Sequence, residues 1–417
     1  MKTIRRTLTT IAGIAAIGVG LTACASGDGG ASADGREEVV MWGSWSGDQV
    51  AQLNEQAGAF NDSQDEYRVK YVAQELVEEK LLTAIAGGQV PDVVLWDRYN
   101  TSLYAPKGAL QPIDELVEED DVDLDAFYQE ALGELEVDGE LYGLPLLVDN
   151  RSLYYNKTIL AEAGVQPPTT WDELLTAAQA LTVREGGKLQ RAGFMLDDPG
   201  LFNMYLWQAG GDLLNEDETK VEFNSEQGLQ VLDFWQRLLD AGVYEQGFGD
   251  GIDAFAEGRT AMRLDGPWQL STYDKVEGLE YGVVQPPAGP NGDKGAGMGG
   301  FGLVIPQGAK NAEGAWEFMK WWATQPENGV NFAKIAGWIP ANIEAANDPY
   351  FTEDEHLAGF IQTLEYARVR PSVSGYSDVE GKALIPALEK YLSGEIDAQT
   401  ALDDAEQQGN RILEENR

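Results

Sequence analysis

Apolar positions along this chain alternate between two rhythms. Val39 to Trp42 is a short apolar run of the strand type. Asp48 to Gln64 follows with Val50, Leu53, Ala57 and Phe60 at helical spacing on one face. Arg68 to Ala73 alternates with period two, as a half-buried strand does. Glu75 to Ala86 returns to the helical period and stops at Gly87-Gly88. Pro91 to Trp96 is continuous apolar sequence, the mark of a strand covered on both faces. A βαβαβ opening of this kind predicts a parallel sheet with helices on its faces, hence an α/β fold. Further on, Gly143 to Tyr155 reads as one strand passing through Pro145, with a turn at Asn156. Thr170 caps a helix and Glu173 completes its capping box. Phe223-Asn-Ser225 caps another helix, which runs through Leu239 and ends by Gly242. Ala312 to Thr324 and Ile385 to Leu392 are further helices.

The first residues break this pattern. Lys2, Arg5 and Arg6 precede the apolar stretch Thr7 to Gly20, which is too short and too glycine-rich to span a bilayer stably. Leu21-Thr-Ala-Cys24 then matches the bacterial lipobox, in which the cysteine thiol is lipidated and becomes the first residue. Residues 1–23 are therefore expected to be a lipoprotein signal peptide. Residues 24–36, rich in Gly, Ala, Ser and Asp, are expected to be a flexible tether. Acyl chains at about 0.8 kcal/mol per buried CH₂ would hold Cys24, and the protein with it, on the extracytoplasmic membrane face.

Composition then removes chemistry. There are 29 Lys+Arg against 70 Asp+Glu, a net charge of -41, so a phosphate backbone is repelled and nucleic acid is not an expected partner. With the single Cys at 24 lipidated, no thiol remains for a disulfide or a zinc–thiolate site. The single histidine, His356, excludes multi-histidine metal sites and reads as a surface residue in a polar stretch. No metal or cofactor is expected. Gly295-Ala-Gly-Met-Gly-Gly300 spells a dinucleotide fingerprint but precedes a strand and opens no helix. Gly43-Ser-Trp-Ser-Gly47 misses the nucleophile-elbow spacing, and Asp121, Asp123 and Asp125 lack the Gly and Glu of a calcium loop. Neither Gly187-Lys188 nor Gly381-Lys382 continues into a phosphate loop, so any driving energy must come from a partner.

Several ordered segments carry a family resemblance: Val39-Val-Met-Trp42, Pro91-Asp-Val-Val-Leu-Trp-Asp-Arg98, Tyr142-Gly-Leu-Pro145, Leu153-Tyr-Tyr-Asn-Lys157, Pro168-Thr-Thr-Trp-Asp-Glu-Leu174, Ala254-Phe-Ala-Glu-Gly-Arg-Thr-Ala-Met262 and Asp265-Gly-Pro-Trp268. In these the chain resembles the extracellular solute-binding proteins of ATP-binding-cassette sugar importers, the maltose-binding-protein-like group. The resemblance implies two α/β lobes joined by strands that cross over more than once. It places 37–147 and 296–344 in the first lobe, and 151–290 and 348–417 in the second. A ligand would lie in the interlobe cleft, and the partners would be a sugar, transmembrane permease subunits with a separate ATPase, and the membrane through the anchor. The protein is expected to act as a monomer and not as an enzyme.

The same resemblance points to Ser44, Trp45 and Ser46 after the first strand, and to Trp96, Asp97 and Arg98 after the third. It adds Asp149 with Asn150, then Asp198, and Trp268 as a ring that stacks on sugar. Trp338 and Tyr376 complete the candidate set. A pyranose has an apolar C–H face and a rim of hydroxyls, which suits aromatic rings beside carboxylates, amides and guanidinium groups. Gly200 and Gly381-Lys382 stand where the family example has aromatic residues, a departure that bears on which sugar is bound. Trp235, Trp316, Trp321 and Trp322 read as core, Trp42 as buried and Trp171 as a helix staple, while Trp207 and Trp338 stay open between core and cleft. A carbohydrate-active enzyme with paired carboxylates is the rival reading, and a peptide or polyamine binder is a third.

Overall fold

The computed structural model describes residues 35–416. The signal segment, Cys24 and nearly all of the tether lie outside the described residues. The strands used below are β1 (Glu37–Gly43), β2 (Tyr67–Ala73), β3 (Val93–Asp97), β4 (Gly143–Pro145), β5 (Leu147–Asn150), β6 (Ser152–Asn156), β7 (Met262–Asp265), β8 (Tyr281–Val284), β9 (Ala296–Gly299), β10 (Phe301–Val304), β11 (Ile339–Pro340) and β12 (Ala367–Arg368).

Two α/β lobes and a connecting sheet share these strands. The first lobe carries a sheet in the order β2-β1-β3-β10-β4. β1 pairs in parallel with β2 and β3, as the opening pattern predicts, and β10 returns antiparallel to β3 and β4. In β1, Val39, Met41 and Gly43 are buried and their neighbours are not, whereas Val93 to Trp96 of β3 are buried throughout. The second lobe carries β7-β6-β8, all antiparallel. A third sheet, β11-β5-β9-β12, joins the two.

The stretch Gly143 to Tyr155, expected as one strand, is therefore three strands in three different sheets. Pro145 has no N–H to continue a ladder. Leu146 donates to Phe301 O (2.9 Å), and the chain then leaves the first lobe through β5. A second crossing runs back from β8 through β9 into β10. Gly300 makes that kink at φ 129, and a Cβ there would fall 2.1 Å from Leu147 O.

Local rules decide several helix starts. Thr170 Oγ1 accepts from Glu173 N–H, while the Glu173 carboxylate reaches back to Thr169 rather than to Thr170. Ser225 caps Glu226–Asp240 through Gly228 N–H. Trp171 packs flat on Phe234 (4.6 Å) and donates to Gln208 Oε1 (2.7 Å). Trp235, Trp316 and Trp322 are buried as expected, but Trp321 and Trp42 are only half-buried. His356 is also half-covered, stacked on Tyr281 at 4.2 Å, and so is not simply a surface residue. Ile385–Leu392 is helical, but it continues from a π-helical segment, Val379–Leu384, that the apolar spacing did not announce.

Candidate ligand-binding cleft

A cavity of about 560 Å³ lies where the three sheets converge. Strand ends bring its walls together. Ser44 and Trp45 follow β1, Asp97 and Tyr99 end and follow β3, and Asp149 and Arg151 straddle the exit from β5. Gly297 to Phe301 form the crossing itself. Asp198, Asn203 and Trp207 come from the second lobe, with Trp268 from the turn after β7. Trp338 precedes β11, and Arg370 and Glu380 come from the segment after β12.

One wall is aromatic. Trp45 and Trp338 stack with centroids 5.2 Å apart, and Phe301 meets both edge-on at 5.2 and 5.5 Å. Trp268 continues the row, 5.2 Å from Trp338. Its ring lies directly over Gly266, where a Cβ would sit 2.1 Å from ring carbons, so a side chain there would displace the ring. The Arg151 guanidinium covers Trp268 at 4.4 Å and is held by Asp149 Oδ1 at 2.7 Å. Trp207 is 5 % exposed, with Arg368 over its ring at 5.0 Å, and its indole N–H has no partner among the described residues.

The opposite wall is charged. Burial is the chief reason that the Asp97 carboxyl is pushed up to about 7. Arg370 and Arg98 pull it down, while Glu134 and Asp149 push it further up. Asp97 Oδ1 is buried without a hydrogen bond among the described residues. Arg370 lies over the Tyr99 ring at 4.0 Å and approaches Glu380 Oε2 at 3.4 Å. Burial disfavours its charge, but Glu380 and Asp97 more than offset that, so it holds its proton more tightly than an ordinary arginine. Burial likewise pushes the Tyr99 hydroxyl up to about 12.

The structure thus gathers Ser44, Trp45, Asp97, Asp149, Asp198, Trp268 and Trp338 around one cavity. It places the other sequence-derived candidates elsewhere. Trp96 points to the opposite face of β3 from Asp97, as strand alternation demands. There it meets Tyr104 edge-on and donates to Thr101 Oγ1 (3.2 Å). Arg98 is sealed behind the cleft floor, paired with Glu134 at 3.1 Å and bonded to the carbonyls of Leu147, Gly299 and Phe301. Asn150 is spent on Phe360 O (2.9 Å) and Ser152 Oγ (3.1 Å). Ser46 is exposed and its carbonyl starts the next helix. Tyr376 is buried, 1 % exposed, with its hydroxyl unpartnered among the described residues and without a share of the cavity wall.

Sequence reasoning did not pick out Tyr99, Arg151, Asn203, Arg370, Glu380 or Gly297 to Gly300. The glycine run did carry a signal, because small residues before a strand with no helix to follow mark close backbone approach.

Comparison with known proteins agrees with the two-lobe fold. The chain is 26% identical over 345 residues to the maltotriose-binding protein of Pyrococcus abyssi, covering 81% of this chain and 74% of that protein. The GacH receptor of Streptomyces glaucescens, solved unliganded and with acarbose, superposes with a TM-score of 0.81 at 25% identity, over 91% of this chain and 99% of that one. The cyclic alpha-maltosyl-1,6-maltose binding protein of Arthrobacter globiformis gives 0.77 at 27% identity, over 91% and 100%. The sequence model of the bacterial extracellular solute-binding proteins matches residues 55–359, and the chain belongs to that family.

Proposed function

We propose that this protein is the lipid-anchored receptor of an ATP-driven importer and that it captures a mono- to oligosaccharide in the interlobe cleft. The observation that carries this reading is the two-sided wall. Trp45, Trp268, Trp338 and Phe301 offer apolar ring surface, and Asp97, Asp149, Arg151, Arg370 and Glu380 offer a hydrogen-bonding rim. A pyranose needs both at once. The volume, about 560 Å³, falls within the range of small-molecule sites. The relatives that bind malto-oligosaccharides or acarbose support the same ligand class. No activated nucleophile is needed, since capture requires complementarity to the ground state alone.

Tryptophan fluorescence across a saccharide panel tests the reading. Saturable quenching or enhancement is expected for at least one glucoside or mannoside, with a micromolar-class affinity, about -8 kcal/mol at 1 μM. A peptide, polyamine or metal that shifts the signal while every sugar is silent would overturn it. Anchoring has its own test. Cys24→Ser is expected to appear in the medium rather than in the membrane fraction, and a variant that stays membrane-bound would point to a retained signal helix.

A further inference from the structure

The π-helical segment Val379–Leu384 is the least expected element near the cleft. Single π turns are rare in helices and recur at functional sites. Glu380 lies on this one. It is buried in the cavity wall, while Gly381 and Lys382 next to it face solvent.

Glu380 Oε1 accepts from Asn203 Nδ2 at 2.6 Å. Its other oxygen accepts from Arg370 Nη1 at 3.4 Å, a long contact and the only hydrogen bond Arg370 makes among the described residues. A guanidinium has five N–H donors, so most of this one's capacity is unspent. On the same wall, Asp97 Oδ1 is buried with no donor among the described residues. Spare donors and a spare acceptor therefore share one cavity wall, contributed by Asp97 from the first lobe, Arg370 from the connecting segment and Glu380 from the second. A buried polar group without a partner bears its desolvation penalty uncompensated, so this arrangement is completed by a ligand that supplies both kinds of group. Adjacent hydroxyls on a sugar ring do so, since each donates one hydrogen bond and accepts others.

We infer that Arg370 and Glu380, with Asp97 beside them, form a clamp that reads the hydroxyls of one ring of a neutral saccharide, and that Glu380 is its specificity-determining residue. The inference rests on the sugar reading above and adds a division of labour. The Trp45–Trp338–Trp268 row holds ring faces and tolerates changes at hydroxyls. The clamp does not tolerate them, because an analogue lacking one hydroxyl leaves buried charged groups unpaired.

Calorimetric titration with maltotriose and mannotriose, and with their analogues deoxygenated at single hydroxyls of the end rings, tests the clamp. The wild-type protein is expected to lose about ten- to a hundredfold in affinity for at least one deoxy analogue. Glu380→Gln is expected to weaken binding of the parent sugar by a similar factor and to bind that deoxy analogue as weakly as the wild type does, so that discrimination collapses. Arg370→Lys keeps the charge, loses the fork geometry, and carries the same test should the first variant not fold. A loss shared equally by parent and analogues would make Glu380 a packing residue and overturn the inference, as would no loss at all. A wild type that binds the parent sugar with a flat deoxy profile defeats the clamp alone. A wild type blind to every saccharide defeats the sugar reading, and the clamp with it.

Discussion

Two arginine–glutamate pairs stand within the same charged region and do different work. Arg98 and Glu134 are sealed, with side chains 0% and 1% exposed. Arg370 and Glu380, at 25% and 9%, border the cavity. The Arg98 guanidinium is also fully engaged, although Glu134 Oε1 is buried without a hydrogen bond among the described residues. Arg98 adds hydrogen bonds to Leu147, Gly299 and Phe301 carbonyls, and so ties β5 to the β9–β10 crossing. Arg370 makes one long contact and otherwise rests on Tyr99. An ion pair whose donors are all used can only hold the scaffold, whereas one with donors to spare can hold something else. The difference lies in neighbours and exposure, not in residue type.

The largest effect should come from breaking the sealed pair. Arg98→Met leaves Glu134 buried without its partner and should cost about 3–5 kcal/mol of stability, read by urea unfolding. Arg370→Met should cost markedly less, because water reaches that site. Equal losses would erase the contrast drawn here.

Trp268→Ala comes next. It removes a ring held between Arg151 and Trp338 at the cavity edge. Sugar affinity should fall by about 1–3 kcal/mol. Global stability should change by less than the roughly 3–5 kcal/mol typical of a core tryptophan. The reverse ordering, measured on the same protein, would assign Trp268 to the core.

A smaller effect tests the charged wall by pH. Burial raises the Asp97 carboxyl from 3.8 to about 7 in the folded protein. Between these values the folded state keeps a proton that the unfolded chain releases, so the contribution of Asp97 to stability declines as pH climbs from about 4 to about 7. Asp97→Asn lacks that slope. Its melting temperature relative to wild type should therefore rise through this window and level off above it. A difference that stays constant from pH 4 to 8 would mean that Asp97 is charged and solvated throughout.

The smallest effect separates neighbours. Ser46→Ala, at an exposed position away from the cavity, should leave both stability and sugar affinity within about 0.5 kcal/mol. Ser44, which lines the cavity, should affect affinity alone when replaced by Ala, and thermal melting with sugar titration distinguishes the pair.

Much of this protein was legible in its residue order, because the relevant forces act over a few positions. The alternation at Val39, Met41 and Gly43, the buried run of β3, and the helix from Ala312 to Thr324 follow from periodicity. The Thr170 and Ser225 caps follow from side chains reaching their own backbone. Trp45 and Trp268 stood out from the family resemblance and from their places after strands, whereas Trp338, which precedes β11, stayed open between core and cleft. Gly143 to Tyr155 shows where that reach ends, since one apolar stretch serves three sheets and only the partner strands assign it. Asp97 and Arg98 are adjacent, yet strand alternation and the approach of Glu134 send one to the cavity and seal the other behind it. Glu380 meets Asn203 across 177 positions, through a π turn with no marker in the local pattern. Sequence by itself determined the elements, their caps and the residue types available for a sugar. Which charges stay open to a ligand was decided by the tertiary structure alone, because burial and pairing depend on partners far along the chain.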